Sequence, residues 1–270
     1  MIAIFDSGYG GLTVLKPIID LMPEYDYMYL GDNARAPYGN HSTENIFSFS
    51  DEAVNYLFNR GVKVIIFACN TASSVALRKI QAKYLQGSEE QERKILGVLI
   101  PVAEKAVKST KNKHVGVIGT KATVGSEVYT KEIKKLDKDI KVFSKACPLL
   151  VPFIEEDWHH KAEAKSILKK YLKSLKSANI DHLILGCTHY PLMKKEIKKV
   201  MGKKITLLPS GEITAQSLKD YLDRHPEIEK KLSKNKKREF LTTDDPVEFK
   251  KFTEKHFGMK IKMPEQIKLN

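Results

Sequence analysis

Gly186-Cys187-Thr188-His189-Tyr190-Pro191-Leu192 follows the apolar run Leu183–Leu185 and leads into a Lys-rich segment with helical spacing, Met193 to Val200. An apolar run that stops at a glycine and then passes into a helix predicts the carboxyl end of a buried parallel strand. In α/β sheets ligands bind at those ends. A thiol, a hydroxyl and an imidazole stand there, and each can move a proton or make a hydrogen bond. The same form occurs earlier in the chain: Val64–Ala68 is apolar, Cys69-Asn70-Thr71-Ala72 follows, and a helical pattern succeeds it from Ser73 to Tyr84. The chain thus presents two cysteines, each at the end of its own strand and each with a threonine within the next two residues.

Outward from these two points the pattern repeats. Ile2–Phe5 is apolar, Asp6-Ser7-Gly8-Tyr9-Gly10-Gly11 is a glycine loop, and Leu12, Leu15, Ile18, Ile19 and Met22 lie at helical spacing. The loop lacks the Gly-x-Gly-x-x-Gly spacing of a dinucleotide site. Tyr27–Leu30 predicts a second strand, and the turn-rich segment from Gly31 to Gly39 follows it as a candidate functional loop. After the polar run Gly87 to Lys94, a linker candidate, Ile95–Ile100 opens a second series. His114–Ile118 ends at Gly119, and a helix is expected from Val124 to Leu136. The strand ending at Asp6 precedes Cys69 by 63 positions, and the one ending at Gly119 precedes Cys187 by 68. This rhythm predicts an α/β fold of two similar doubly wound domains related by a pseudo-twofold axis, with the two cysteines facing across a cleft. The expected boundaries are 1–94 plus 208–270 for the first domain, completed by the C-terminal tail, and 95–207 for the second.

Composition narrows the class. The 270 residues are 42% hydrophobic, ordinary for a folded chain. No apolar run reaches bilayer length, and Met1–Phe5 shows no secretory pattern, so the expected compartment is the cytoplasm. Three cysteines without a Cys-x-x-Cys pair argue against a disulfide framework or a zinc ribbon, and no metal or cofactor is expected. The net charge of +13 fits lysines on solvated helix faces. Without aromatic residues interleaved to stack bases, it does not single out nucleic acid as a partner.

The chemistry rests on the thiols. A thiolate is a soft, weakly hydrated base suited to a carbon acid, and a helix start or a nearby cation favours its formation. Two thiols on opposite faces of one carbon would let one remove a proton while the other supplies one, inverting the centre without a cofactor. His189 could exchange protons with Cys187 or with a substrate ammonium, and Asp6 could do so on the other side. Glu155 is a candidate to orient His189, with Glu156 as the alternative. Ser7, Tyr38, Asn70, Thr71 and Thr188 are neutral donors able to hold carboxylates. Cys147, before Pro148, reads as core. A hydrolase pair of Cys187 and His189 would leave Cys69 idle.

Five motifs then converge: Asp6-Ser7-Gly8-Tyr9-Gly10-Gly11-Leu12, Gly31-Asp32 with Pro37-Tyr38-Gly39, Cys69-Asn70-Thr71-Ala72, Val151-Pro152-Phe153-Ile154-Glu155, and Gly186 to Leu192. In this order, over nearly the whole chain, they resemble the bacterial glutamate racemases of the aspartate/glutamate racemase superfamily. The resemblance implies cofactor-independent conversion of L-glutamate to D-glutamate, a peptidoglycan building block, by two α/β domains around a shared cleft. It implies Cys69 and Cys187 as acid/base thiols, assisted by Asp6, Glu155 and His189. Substrate contacts would come from Asp6, Ser7, Tyr38, Gly39, Asn70, Thr71, Thr188 and His189, and the protein would be a homodimer. Pro209 and the pair Ile100-Pro101 depart from the common family pattern, away from these positions. An aspartate racemase, a single-cysteine enzyme of the superfamily and a nucleic-acid-binding protein are the competing readings. The paired cysteines count against the second.

Overall fold

The computed structural model of the chain describes residues 1–87 and 92–269. The first sheet contains β1 (Ile2–Asp6), β2 (Tyr27–Gly31), β3 (Val64–Phe67) and β4 (Lys94–Gly97). From the far end of the chain it gains β9 (Arg238–Thr242) and β10 (Glu265–Gln266). Its spatial order is β10-β9-β2-β1-β3-β4. The second sheet contains β5 (His114–Gly119), β6 (Lys141–Ala146), β7 (His182–Gly186) and β8 (Thr206–Pro209), in the order β6-β5-β7-β8. Every pairing is parallel.

The helices of the first half are α1 (Leu12–Leu21), α2 (Thr43–Asn59), α3 (Asn70–Val75), α4 (Leu77–Tyr84) and α5 (Leu99–Ser109). Next come α6 (Lys121–Gly125), α7 (Val128–Leu136), α8 (Leu150–Glu155), α9 (Ala162–Ser177) and α10 (Lys194–Met201). The chain ends with α11 (Ser210–Arg224), α12 (Pro226–Glu229) and α13 (Pro246–Phe257). Among the described residues no helix is long and apolar enough to cross a membrane.

Alternation along the strands divides each core. Ile2, Ile4, Tyr27, Tyr29, Val64 and Ile66 face one layer of helices, whereas Ala3, Phe5, Met28, Leu30, Ile65 and Phe67 face the other. Both faces are buried, so β1, β2 and β3 read as continuous apolar runs, as parallel strands covered on both sides do. In the second sheet, Val115, Val117 and Ile184 oppose Ile118, Leu183 and Leu185 in the same way.

The two sheets share one topology: β2-β1-β3-β4 matches β6-β5-β7-β8 strand for strand. This identifies the physical content of the repeat and corrects its limits. Lys94–Gly97, expected to open the second unit, pairs with β3 in the first sheet, in register Val64 with Lys94 through Phe67 with Gly97. A boundary between 207 and 208 cuts through β8, which pairs with β7 over Thr206–Pro209. The strand β6 has no counterpart in the sequence reading, because this edge strand is only half buried and carries charged residues. The helix after Cys69 begins at once, at Asn70, and breaks at Ala76. The helix expected from Val124 is split at Glu127, whose φ is 56°. The linker candidate from Gly87 to Lys94 lies in part outside the described residues, and its last residue begins β4.

Candidate active site

In a 2-1-3-4 order the connections leave β1 and β3 in opposite directions, and a crevice opens outside their carboxyl ends. Ser7 follows β1 and Cys69 follows β3; Thr120 follows β5 and Cys187 follows β7. The two crevices face each other. Ser7, Gly8, Ala36 to Gly39, Cys69, Asn70 and Thr71 line a single cavity with Thr120, Val151, Glu155, Cys187, Thr188 and His189. The cavity is small, about 20 Å³, room for about one water.

On the first half, Cys69 caps α3, its Sγ accepting from the Ala72 amide at 3.4 Å. The thiol donates to Ser7 Oγ at 3.4 Å. Burial, reinforced by the charge of Asp6, pushes the Cys69 thiol up to about 12, so it holds its proton at neutral pH. Asp6 is fully buried behind the cavity wall. Its carboxylate accepts from the Gly8 amide at 3.1 Å and from the Thr188 hydroxyl at 3.3 Å. Burial raises its carboxyl to about 6, opposed by the nearby His189 charge.

On the second half, His189 Nδ1 lies 4.0 Å from Cys187 Sγ, and Nε2 lies 2.8 Å from Glu155 Oε1. Burial opposes charge on this ring, but the contacts with Cys187 and Glu155 outweigh it and raise the imidazole to about 10. His189 is therefore an imidazolium at neutral pH, with one N–H directed at the sulfur and the other held by the carboxylate. Glu155 makes this contact from the end of α8, while Glu156 is exposed.

The neutral donors take different positions. Tyr129 donates to Asn70 Oδ1 at 2.7 Å, which fixes the amide and leaves its buried Nδ2 without a partner among the described residues. Thr71 Oγ1 is 2.9 Å from Thr120 Oγ1 and 3.3 Å from Thr123 Oγ1, a hydroxyl cluster that joins the two halves. The Tyr38 hydroxyl does not point into the cavity as a free donor. It donates to Asp32 at 2.5 Å, and Asp32 also holds Arg35. Gly10 and Gly39 admit the close approach of the halves. A Cβ on Gly10 would stand 2.4 Å from Thr188 Oγ1, and one on Gly39 would stand 2.6 Å from Thr120 Cβ.

Cys147 is buried away from the cavity lining, with its carbonyl accepting from Tyr190. Thr120, Thr123 and Tyr129 are site residues that the sequence reading left out. The repeat contained a signal for Thr120, which follows β5 as Ser7 follows β1. Tyr129 has no such signal, because its contact with Asn70 spans 59 positions and joins α7 to α3.

The fold and site define a class: an α/β cleft protein in which equivalent strands of two matched sheets each deliver a cysteine to one enclosed cavity. Comparison with known proteins agrees. Residues 18–218 match the family model described as Asp/Glu/Hydantoin racemase. A glutamate racemase from Geobacter metallireducens is 38% identical over 99% of this chain and 96% of its own. The glutamate racemase isoform RacE1 from Bacillus anthracis superposes with a TM-score of 0.90 at 38% identity, covering 100% of this chain and 97% of that one. The glutamate racemase from Francisella tularensis, solved in complex with D-glutamate, gives 0.89 at 32% identity over 100% of this chain and 97% of its own. The chain belongs to the Asp/Glu/Hydantoin racemase family, and within it to the glutamate racemases.

Proposed function

We propose that this enzyme interconverts L- and D-glutamate by a two-thiol mechanism that needs no cofactor. The observation that carries the reading is the placement of Cys69 and Cys187 on opposite halves of one enclosed cavity. On one stroke Cys187, as thiolate, takes the Cα proton of the bound amino acid. The electron pair stays on carbon, next to the carboxylate. The Cys69 thiol then delivers its proton to the opposite face, leaving a Cys69 thiolate, a Cys187 thiol and the mirror-image product. The reverse stroke exchanges the roles.

His189 is the charged partner on the Cys187 side, and Glu155 keeps it charged and oriented. Asp6, buried behind the cavity wall, is the proton-exchanging group on the Cys69 side. Asn70 Nδ2, Ser7, Thr71 and Thr188 hold the substrate carboxylates, with the backbone amides of Tyr38 and Gly39, since the Tyr38 side chain is committed to Asp32. The relatives' substrate and the family resemblance support glutamate over aspartate. They also support D-glutamate supply for peptidoglycan, a cytoplasmic location and a homodimer.

The test is incubation with L-glutamate in deuterated water, following D-glutamate and deuterium at Cα together. Wild type should produce D-glutamate carrying deuterium. Cys69→Ser and Cys187→Ser should each lower racemisation by a factor on the order of 10²–10⁴. Turnover of L-aspartate in preference to L-glutamate would replace the substrate assignment, and undiminished racemisation in either variant would end the two-thiol mechanism.

A further inference from the structure

The turn between α8 and α9 carries Asp157-Trp158-His159-His160, outside the residues that line the cavity. A carboxylate oxygen of Asp157 and one ring nitrogen from each of His159 and His160 all lie within 4.8 Å of one another. Asp157 Oδ1 is 3.7 Å from His159 Nδ1. That is near the edge length of a tetrahedron whose metal–ligand bonds are about 2.0–2.2 Å. His159 Nδ1 is buried and has no hydrogen-bond partner among the described residues, and a buried nitrogen left in this way asks for an explanation.

The surroundings point the same way. Asp157 Oδ2 is taken by Lys255 Nζ at 2.8 Å, which leaves Oδ1 for another partner. The turn itself is fixed, because the Asp157 amide donates to the Ile154 carbonyl and the Trp158 amide to the Phe153 carbonyl. His256, on α13 of the other half, brings its ring to 6.4 Å from the His159 ring, centroid to centroid. Two imidazoles and one carboxylate suit borderline first-row cations. They are a poor set for calcium or magnesium, which take oxygen ligands.

We propose that Asp157, His159 and His160 bind one divalent cation of the zinc, nickel or cobalt class at the rim between the two halves, with the fourth position open to water or to His256. Lys255 stands against the cation and moderates the affinity. The site ends the helix that presents Glu155, two residues earlier, so a bound cation ties that helix end in place beside α13.

Cobalt(II) and nickel(II) are the probes. The full-length protein, stripped with a chelator, is titrated with cobalt(II) by visible absorption and with nickel(II) by calorimetry. The same is done for His159→Gln, His160→Gln, Asp157→Asn and the Cys69→Ser/Cys187→Ser double variant. A single equivalent should bind without a thiolate-to-cobalt charge-transfer band. Each change at the turn should weaken binding at least about tenfold, and the double cysteine variant should bind as wild type does. His160 is exposed, so its variant tests the ligand set without burdening the fold. Two results would overturn the proposal: no binding at millimolar cation, or binding that survives at the turn variants and disappears with the cysteines.

Discussion

Glu155 shows how one carboxylate sets the charge state of a neighbouring imidazole. With Glu155 on Nε2 and Cys187 facing Nδ1, the His189 imidazole is raised to about 10. Glu155→Gln removes the negative partner, so the ring should titrate at lower pH and the alkaline limb of the kcat/KM profile should move down with it. Glu156→Gln, at an exposed position, should leave the profile in place. The same shift links to stability. A raised imidazole contributes fully below its ordinary value of about 6.5, and the contribution is lost as pH rises through about 10. Thermal melts should therefore show wild type losing stability relative to His189→Gln between neutral pH and pH 10. Asn70 makes a second residue-scale case. Tyr129 orients its amide so that Nδ2 is the free, buried donor. Tyr129→Phe should raise KM for glutamate by about 2–10-fold, the worth of one neutral hydrogen bond, with kcat little changed. Asn70→Ala should raise KM further.

At the scale of elements, close packing positions the thiols. The helix α11 returns from the second sheet to lie on α1, and Gly211 makes that contact possible. A Cβ there would stand 2.2 Å from the Thr13 carbonyl oxygen. Thr13 in turn donates to the Thr188 carbonyl, one residue from Cys187. Gly211→Ala should destabilise the fold by about 1–3 kcal/mol, the usual cost of overpacking, read as a lower denaturant midpoint, and should lower kcat by shifting the Thr188 loop. The exposed strand end at β6 gives the contrasting case. Exposed edge residues such as Lys141 and Ser144 interrupt any apolar run, so periodicity alone passes over a strand whose existence follows from the pairing of β2 with β1 in the other sheet.

At the scale of the whole molecule, the cavity of about 20 Å³ is smaller than an amino acid with a five-carbon chain, so a parting of the halves is the expected route of entry. The lips are the segment from Pro37 to Asn40 and the start of α6. They are in contact through Gly39 and Thr120 and joined by the Thr71–Thr120 hydroxyls. Saturating D-glutamate should slow amide exchange at both lips. At a hundred times its dissociation constant it should stabilise the protein by about 2.7 kcal/mol. For a chain of this size that is about 5–10 °C in melting temperature. The +13 charge belongs to this scale as well. Lys165, Lys169, Lys170, Lys173, Lys176 and Lys199 line an open groove between α9 and α10, on solvated helix faces as their sequence pattern indicates.

The sequence by itself determined the class of fold and pointed to the residues proposed for the chemistry. Apolar runs ending at Asp6, Cys69, Gly119 and Cys187 mark strand ends, because a parallel strand buried on both faces has no other composition open to it. Two thiols at two such ends already imply a shared cleft. Tertiary structure decided what depends on partners far along the chain. Membership of β4 in the first sheet comes from pairing with β3, which no local pattern records. The choice of Glu155 as the partner of His189 depends on which face of a six-residue helix meets the loop that carries His189. The commitment of the Tyr38 hydroxyl to Asp32 and of Asn70 to Tyr129 depends on side chains that meet only after the sheets have packed. Hydrophobic periodicity is a local property of the chain and survives in sequence. Hydrogen-bond partnership between buried polar groups is set by geometry at a few ångströms, and only the folded molecule supplies it.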